Sequence, residues 1–256
     1  MSDVVRTKTT NGVAVITFDH PPVNGLSFGV RTGLAQHVAA ALADDAVSAL
    51  VITGAGRMFS SGADIREFGQ TPPPDTPHLP SVITAIEDSP KPVIAAIHGV
   101  AAGGGLEVAL GCHYRLAAPG TRVGLPEVTL GIVPGAGGTQ RLPRLIGVQN
   151  ALDVIVGGKL LPVEKAHALG IIDEIVDADL VGAAVACAGR LVERNGPIRK
   201  TREREEGLSD ARRNPGLFEA FRRQMAKRAR GFDAPYACVE CIEAAVSLPF
   251  AEGLAR

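Results

Sequence analysis

Tryptophan is missing from this 256-residue chain, and aromatic residues of all kinds make up only 4% of it. Proteins that hold single-stranded nucleic acid use aromatic faces as stacking platforms for bases. Two Tyr and eight Phe make a poor platform, so no nucleic-acid partner is expected. Cysteine is also scarce: Cys112, Cys187, Cys238 and Cys241. Four thiols do not form a disulfide framework in a chain this long, which points to a reducing, cytoplasmic compartment. Cys238 and Cys241 form a single C-x-x-C, but no second pair and no nearby His completes a zinc set. We read the pair as helical core and expect no metal. Both nucleotide fingerprints, G-x-G-x-x-G and G-x-x-x-x-G-K-[ST], are lacking, as is the G-x-S-x-G of serine hydrolases.

Long apolar runs are few. The segment M-S-D-V-V-R-T-K-T-T has no apolar stretch after a basic start, so it is not a secretory leader. The most hydrophobic window, residues 93–111, is nearly long enough to span a bilayer. It also holds His98, Glu107 and five glycines, so it reads as a buried soluble core, with no membrane partner. Net charge is lacking too, at -1 overall. The balance is uneven, however: residues 190–230 hold 13 Lys and Arg against 6 Asp and Glu. Such a basic stretch is either a solvated helical face or a surface for phosphates or an acidic partner.

Hydrophobic residues reach 46% and charged residues 21%, the composition of a globular protein with a substantial core. Residues 4–8 and 13–18 flank T-T-N-G, an Asn-Gly hairpin signal. Ser27 caps a helix to about Ala43, with Leu34, Val38, Ala41 and Leu42 on one face. Residues 49–53 and 93–97 are continuous apolar runs, as expected of strands covered on both faces. Strands alternate with helices, so the class is α/β. The five prolines of residues 69–80 mark a surface loop. Helices are expected over 139–146, 149–156, 163–169, 179–194 and 234–247, with a short strand over 171–176. We divide the chain into a core, 1–190, and a helical region, 191–256, for oligomerisation or interdomain contact.

Two carboxylates stand in apolar, glycine-rich surroundings: Glu107 in G-G-G-L-E-V-A-L and Glu127 in L-P-E-V-T-L-G-I-V-P-G-A-G-G. Burial raises a carboxyl pKa into the range useful for general acid–base work. A facing pair can move one proton in and another out, as water addition across a double bond requires. Gly103–Gly105 precede a helix whose first N–H groups are unpaired and lie at the positive end of its dipole. They can supply half of an oxyanion hole, and the S-S-G-A-D-I turn at residues 60–65 can supply the other half. Singly, each signal has a plain alternative: a Glu at a helix border reaching water, or a glycine turn with no ligand.

The stretches S-S-G-A-D-I-R-E-F, K-P-V-I-A-A-I-H-G-V-A-A-G-G-G-L-E-V-A-L and L-P-E-V-T-L-G-I-V-P-G-A-G-G-T-Q-R-L strongly resemble the crotonase (enoyl-CoA hydratase/isomerase) superfamily. The likeness runs from the hairpin to about Val176. The ending E-A-A-V-S-L-P-F-A-E-G-L looks more narrowly like the N-terminal half of bifunctional hydratase/3-hydroxyacyl-CoA dehydrogenases. The resemblance implies a ClpP/crotonase-like spiral of ββα repeats with a helical C-terminal region. It implies an acyl-CoA thioester as substrate and no cofactor, coenzyme A being part of the substrate. The Ala63 and Gly104 N–H groups would form the oxyanion hole, Glu107 would activate water, and Glu127 would exchange the proton at Cα. Gly135 would help orient the water. Asn24, Gly25, Leu26, Asp64, Ile65 and Arg66 lie where the family wraps the CoA arm, although N-G-L here replaces the common N-A-L. Two Glu favour hydration of a 2-trans-enoyl-CoA in fatty acid β-oxidation, with Δ3,Δ2-enoyl-CoA isomerisation as the alternative or a second activity. The partner is expected to be a homotrimer or hexamer of the same chain, or a covalently linked dehydrogenase half. A chain cut at that domain boundary is the expected case. A binding module without activity is the competing class, and only the basic stretch supports it.

Overall fold

The computed structural model describes residues 4–256. Residues 1–3, the start of the segment expected to carry no leader, lie outside it. Strands β1 (Val5–Thr10) and β2 (Val13–Phe18) form an antiparallel hairpin. Its two turn residues, Asn11 and Gly12, have φ of 51° and 72°. That is the conformation a tight two-residue hairpin demands, and Asn-Gly tolerates it best. Helix α1 (Phe28–Ala43) follows, with the Ser27 hydroxyl accepting the Val30 N–H. It buries Val30, Leu34, Val38 and Ala41, a stripe at steps of four, four and three on one face. Leu42, expected on that stripe, is only partly buried.

Next come β3 (Ala49–Gly54), α2 (Leu79–Glu87), β4 (Val93–Ile97), β5 (Val100–Ala102), α3 (Gly104–Gly111), β6 (Tyr114–Ala117) and β7 (Arg122–Gly124). The chain continues through α4 (Gly138–Ile146), α5 (Val148–Gly157), β8 (Leu161–Pro162), α6 (Val163–Leu169), β9 (Glu174–Ile175) and α7 (Leu180–Arg194). It finishes with α8 (Ser209–Arg213), α9 (Leu217–Met225), α10 (Ala234–Ser247) and α11 (Phe250–Leu254). One sheet has the order β1-β2-β3-β4-β6-β9, parallel except for the first pair. A smaller sheet has the order β5-β7-β8. Each turn of chain climbs from the large sheet to the small one and returns through a helix, as in β4–β5–α3. This is the expected α/β spiral.

The apolar strands are covered on both faces. Leu50, Ile52, Val93, Ala95 and Ile97 face the main core with α1, α2 and α3. Ala49, Val51, Ile94 and Ala96 face Ala184, Cys187 and Ala188 of α7. The strand expected over 171–176 is only two residues long. Its first half bonds elsewhere: the Ile171 and Ile172 N–H groups donate to Ala166 O, and Ile171 O accepts Arg115 Nε. The proline-rich loop expected over 69–80 is cut short by two residues, because α2 begins at Leu79 and takes Pro80 into its first turn, where a missing N–H costs nothing. No described helix is long and apolar enough to cross a membrane.

The core continues into the C-terminal helices through Leu208, Phe218, Cys238 and Ile242. All four cysteines are free, and Cys238 lies fully buried in α10 with Cys241 half-buried beside it, as expected of helical core. Part of the basic stretch is tied internally. Lys200 and Arg202 both pair with Asp88, and Arg222 pairs with Glu243 at 2.5 Å.

Candidate active site

Three consecutive glycines do three separate jobs. Gly103 turns the chain from β5 into α3 with φ 52° and ψ -130°, a conformation L side chains avoid. A Cβ there would lie 2.9 Å from Glu127 Oε1. A Cβ on Gly104 would meet Leu79 and Leu26 side chains at 2.9 and 3.3 Å. A Cβ on Gly105 would strike the Ser60 backbone oxygen at 2.9 Å. That close approach is needed because the Ser60 strand segment runs alongside β5: Ser60 N–H donates to Val100 O, and Ala102 N–H to Ser60 O, both at 2.9 Å.

This pairing carries the S-S-G-A-D turn to the start of α3. The Ala63 nitrogen lies 3.7 Å from where a Gly104 Cβ would sit. Among the described residues, neither the Ala63 nor the Gly104 N–H donates to a protein acceptor. Gly104 is the first residue of α3, so its N–H cannot be used within the helix. Two free donors thus sit together, one buried at Gly104 and one exposed at Ala63.

Glu107 lies one turn into α3. It is 2% exposed, so it does not reach water at a helix border. Its Oε1 accepts the Ala136 and Gly138 N–H groups, each at 2.8 Å. Burial pushes its pKa above the ordinary Glu value, and the Gly138 and Ala136 N–H groups and the charge of Arg141 offset only part of that rise. Glu127 opens the 3-10 turn Glu127–Leu130 after β7. Its buried Oε2 has no partner. Burial first, and then the Glu107 charge, push its pKa up to about 8. One carboxylate is therefore wired to backbone donors, and the other is held as an acid.

The sign of the Glu127 shift has a consequence for stability. A carboxyl whose folded pKa is raised stabilises the fold fully below its unfolded pKa and loses that contribution as pH rises through the folded value. The window here runs from the ordinary Glu value to about 8. Glu127→Gln is expected to raise Tm relative to the unaltered chain, with a gap that widens from pH 5 to pH 8. Thermal melts at both pH values check this, and a gap that narrows would contradict the raised pKa.

The remaining residues singled out from sequence fall into two groups. Gly135 is exposed, one residue before the Ala136 donor. Gly25, Asp64, Ile65 and Arg66 line a cleft of about 360 Å³ on the Ala63 side, with Asn24 buried outside its lining and the buried Leu26 beside Gly104. Asn24 is a latch: at φ 52° its Nδ2 donates to Ala55 O and Met58 O at 2.7 Å, and its Oδ1 accepts the His20 N–H. Arg66 is exposed and forks onto Asp64 at 2.8 and 2.6 Å. A groove of about 850 Å³ between β1, β2 and α7 contains none of these residues.

Nothing in the sequence marks Ala136 and Gly138 as the partners of Glu107. The P-G-A-G-G run announces a turn, but a backbone donor has no side-chain signature. The pairing of Glu87 with Arg141 is likewise unsignalled.

Comparison with known proteins agrees with this fold. The sequence profile of the enoyl-CoA hydratase/isomerase family matches residues 8–206. The peroxisomal bifunctional enzyme of Danio rerio is 46% identical over 95% of this chain and 33% of its own length. The glyoxysomal fatty acid beta-oxidation multifunctional protein MFP-a of Cucumis sativus is 41% identical over 93% of this chain and 34% of its own. The chain thus spans about a third of the length of these relatives. The crystal structure of an enoyl-CoA hydratase from Bacillus anthracis superposes with a TM-score of 0.70 at 31% identity, covering 93% of this chain and 91% of that one. With its spiral fold and its paired carboxylates, the chain belongs to the enoyl-CoA hydratase/isomerase family.

Proposed function

We propose that the chain hydrates 2-trans-enoyl-CoA thioesters to 3-hydroxyacyl-CoA, in fatty acid β-oxidation. The carrying observation is the asymmetric pair: Glu107 held by two backbone N–H groups, and Glu127 near enough to feel its charge, with an unpartnered oxygen and a pKa of about 8. In this reading the thioester oxygen accepts from Ala63 and Gly104. Ionised Glu107 takes a proton from water as the hydroxyl oxygen bonds to Cβ. The electron pair moves to the thioester oxygen, giving an enolate that the two N–H groups stabilise. Protonated Glu127 then delivers its proton to Cα. Gly135, beside Ala136, leaves room for the water. Ile65 and Arg66, both exposed at the cleft rim, offer an apolar face and a cation to the CoA arm. Asn24 shapes that cleft through its latch.

The chemistry needs water and two carboxyl groups and no added cofactor. The free thiols support a reducing compartment, which we take to be the cytoplasm. The one-third span of the relatives supports a covalently linked dehydrogenase half as partner. Residues 191–256 would then serve interdomain contact as well as covering the site, since α10 packs on α4 and α5. Glu127 also supports a second activity. It suffices alone to carry a proton between Cα and the γ carbon, which is Δ3,Δ2 isomerisation.

Incubation of the chain with crotonyl-CoA is expected to remove the conjugated thioester absorbance and, in D2O, to place deuterium at Cα. The rate should form a bell against pH, with its alkaline limb near the Glu127 value of about 8. No turnover at any pH would overturn the reading.

A further inference from the structure

Behind Glu107 lies an ion pair that takes no part in the reaction just described. Arg141 and Glu87 are both buried, with side chains 1% and 0% exposed. Arg141 Nη2 and Nε donate to Glu87 Oε2 at 2.8 and 3.1 Å. The other Glu87 oxygen accepts the Arg202 N–H at 2.8 Å. Arg141 Nη1 donates to the Ala136 carbonyl at 3.2 Å. Ala136 is one of the two residues whose N–H holds Glu107. From α11, the Phe250 ring covers the guanidinium, with Arg141 Cζ 4.9 Å from the ring centre. Gly137, at φ 102°, leaves space that any Cβ would take from Arg141 Nη1.

A buried salt bridge is weak support for stability, because desolvation offsets most of its attraction. Packing alone would be served as well by two apolar side chains. What apolar side chains could not do is hold the Ala136 carbonyl and place a positive charge behind Glu107. We propose that Arg141, seated by Glu87 and Phe250, is a positioning residue that keeps Glu107 the ionised member of the carboxylate pair. It acts in two ways. It fixes the 136–138 turn so that both N–H groups meet Glu107 Oε1, and its field favours the carboxylate form. The charged and titratable groups around the pair are few. Arg141 of α4 bears on Glu107, Glu107 bears on Glu127 of the 3-10 turn, and the Glu127 charge in turn bears on Cys238 of α10. Glu87 of α2 stands behind Arg141 and moderates its charge. The C-terminal α11 thereby becomes part of the catalytic architecture through Phe250.

The inference rests on the hydration reading and makes a prediction of sign. In Arg141→Met the acid limb of kcat/KM, which reports Glu107, is expected to move up by about one pH unit, as loss of a nearby opposite charge does. In Glu87→Gln the limb is expected to move down, because Arg141 then faces Glu107 unmoderated. Arg141→Lys should return the limb part of the way. Glu87→Leu/Arg141→Met replaces the whole pair with apolar side chains, a change buried pairs tolerate, and should reproduce the upward shift if a single variant fails to fold. Carboxylate infrared difference spectra against Glu107→Gln follow the same titration in the free protein. They report on Arg141 even if crotonyl-CoA is not turned over, so failure of the hydration reading stays distinct. An acid limb and a Glu107 titration unmoved in every folded variant, or moved in the same direction by both single changes, would overturn the proposal.

Discussion

Glu107→Gln and Glu127→Gln are each expected to lower kcat for hydration of crotonyl-CoA by about 10³-fold, within the range that a positioned acid or base contributes. KM should change little, because neither carboxyl is asked to hold the substrate. Gln at position 107 keeps an oxygen for the Ala136 and Gly138 N–H groups, so the 136–138 turn has no reason to move. What it loses is the ability to take a proton from water. Gln at position 127 fills the same volume but has no proton to give to Cα. The double variant should be little worse than either single one, since the two groups act on one transition state and their effects do not add. Steady-state rates at pH 7, with far-UV dichroism as the folding control, decide this. Full activity in either variant would remove the two-carboxylate mechanism. A separate outcome speaks to isomerisation: Glu107→Gln that still converts a 3-enoyl-CoA would show Glu127 carrying a proton alone.

How much of this was legible beforehand differs between strands, helices and site. The runs A-L-V-I-T and V-I-A-A-I read as strands covered on both faces, and α7 covers the face that α1 to α3 do not. Helices α6 and α10 lie where their patterns place them. Strands β5 and β7 escape notice because three residues are too few to display a period of two. They nevertheless build the site, since β5 brings the Ser60 segment to α3. Glu107 was ambiguous for a physical reason. Every residue of α3 is buried, so the helix has no polar face to betray which way its carboxylate points. The donors that make its burial tolerable are backbone groups 29 and 31 residues downstream. The basic stretch reads as a solvated helical face or as a surface for phosphates or an acidic partner; within it, Lys200 and Arg202 are drawn in to Asp88 at the end of α2, a pairing the sequence does not signal.

Gly103→Ala is expected to cost both stability and rate, and comparison with Gly120→Ala separates the two. Both glycines have positive φ, 52° and 75°, so each substitution carries backbone strain of about 1–3 kcal/mol. Around Gly120 a Cβ meets nothing within 4 Å, and strain is the whole effect there. Around Gly103 the Cβ would come 2.9 Å from Glu127 Oε1. The same residue donates its N–H to Gly124 O at 2.9 Å and accepts the Glu107 N–H at 3.0 Å. Relief of the clash therefore has to move Glu127, the start of α3, or both. Moving α3 displaces the Gly104 N–H, and misplacing one oxyanion donor lowers the rate by about 10²–10³-fold. Thermal melts should show both variants less stable, Gly103→Ala by more. Only Gly103→Ala should lose kcat/KM, by at least about 10²-fold. Equal rates in the two variants would mean that the turn at Gly103 shapes the fold without shaping the chemistry.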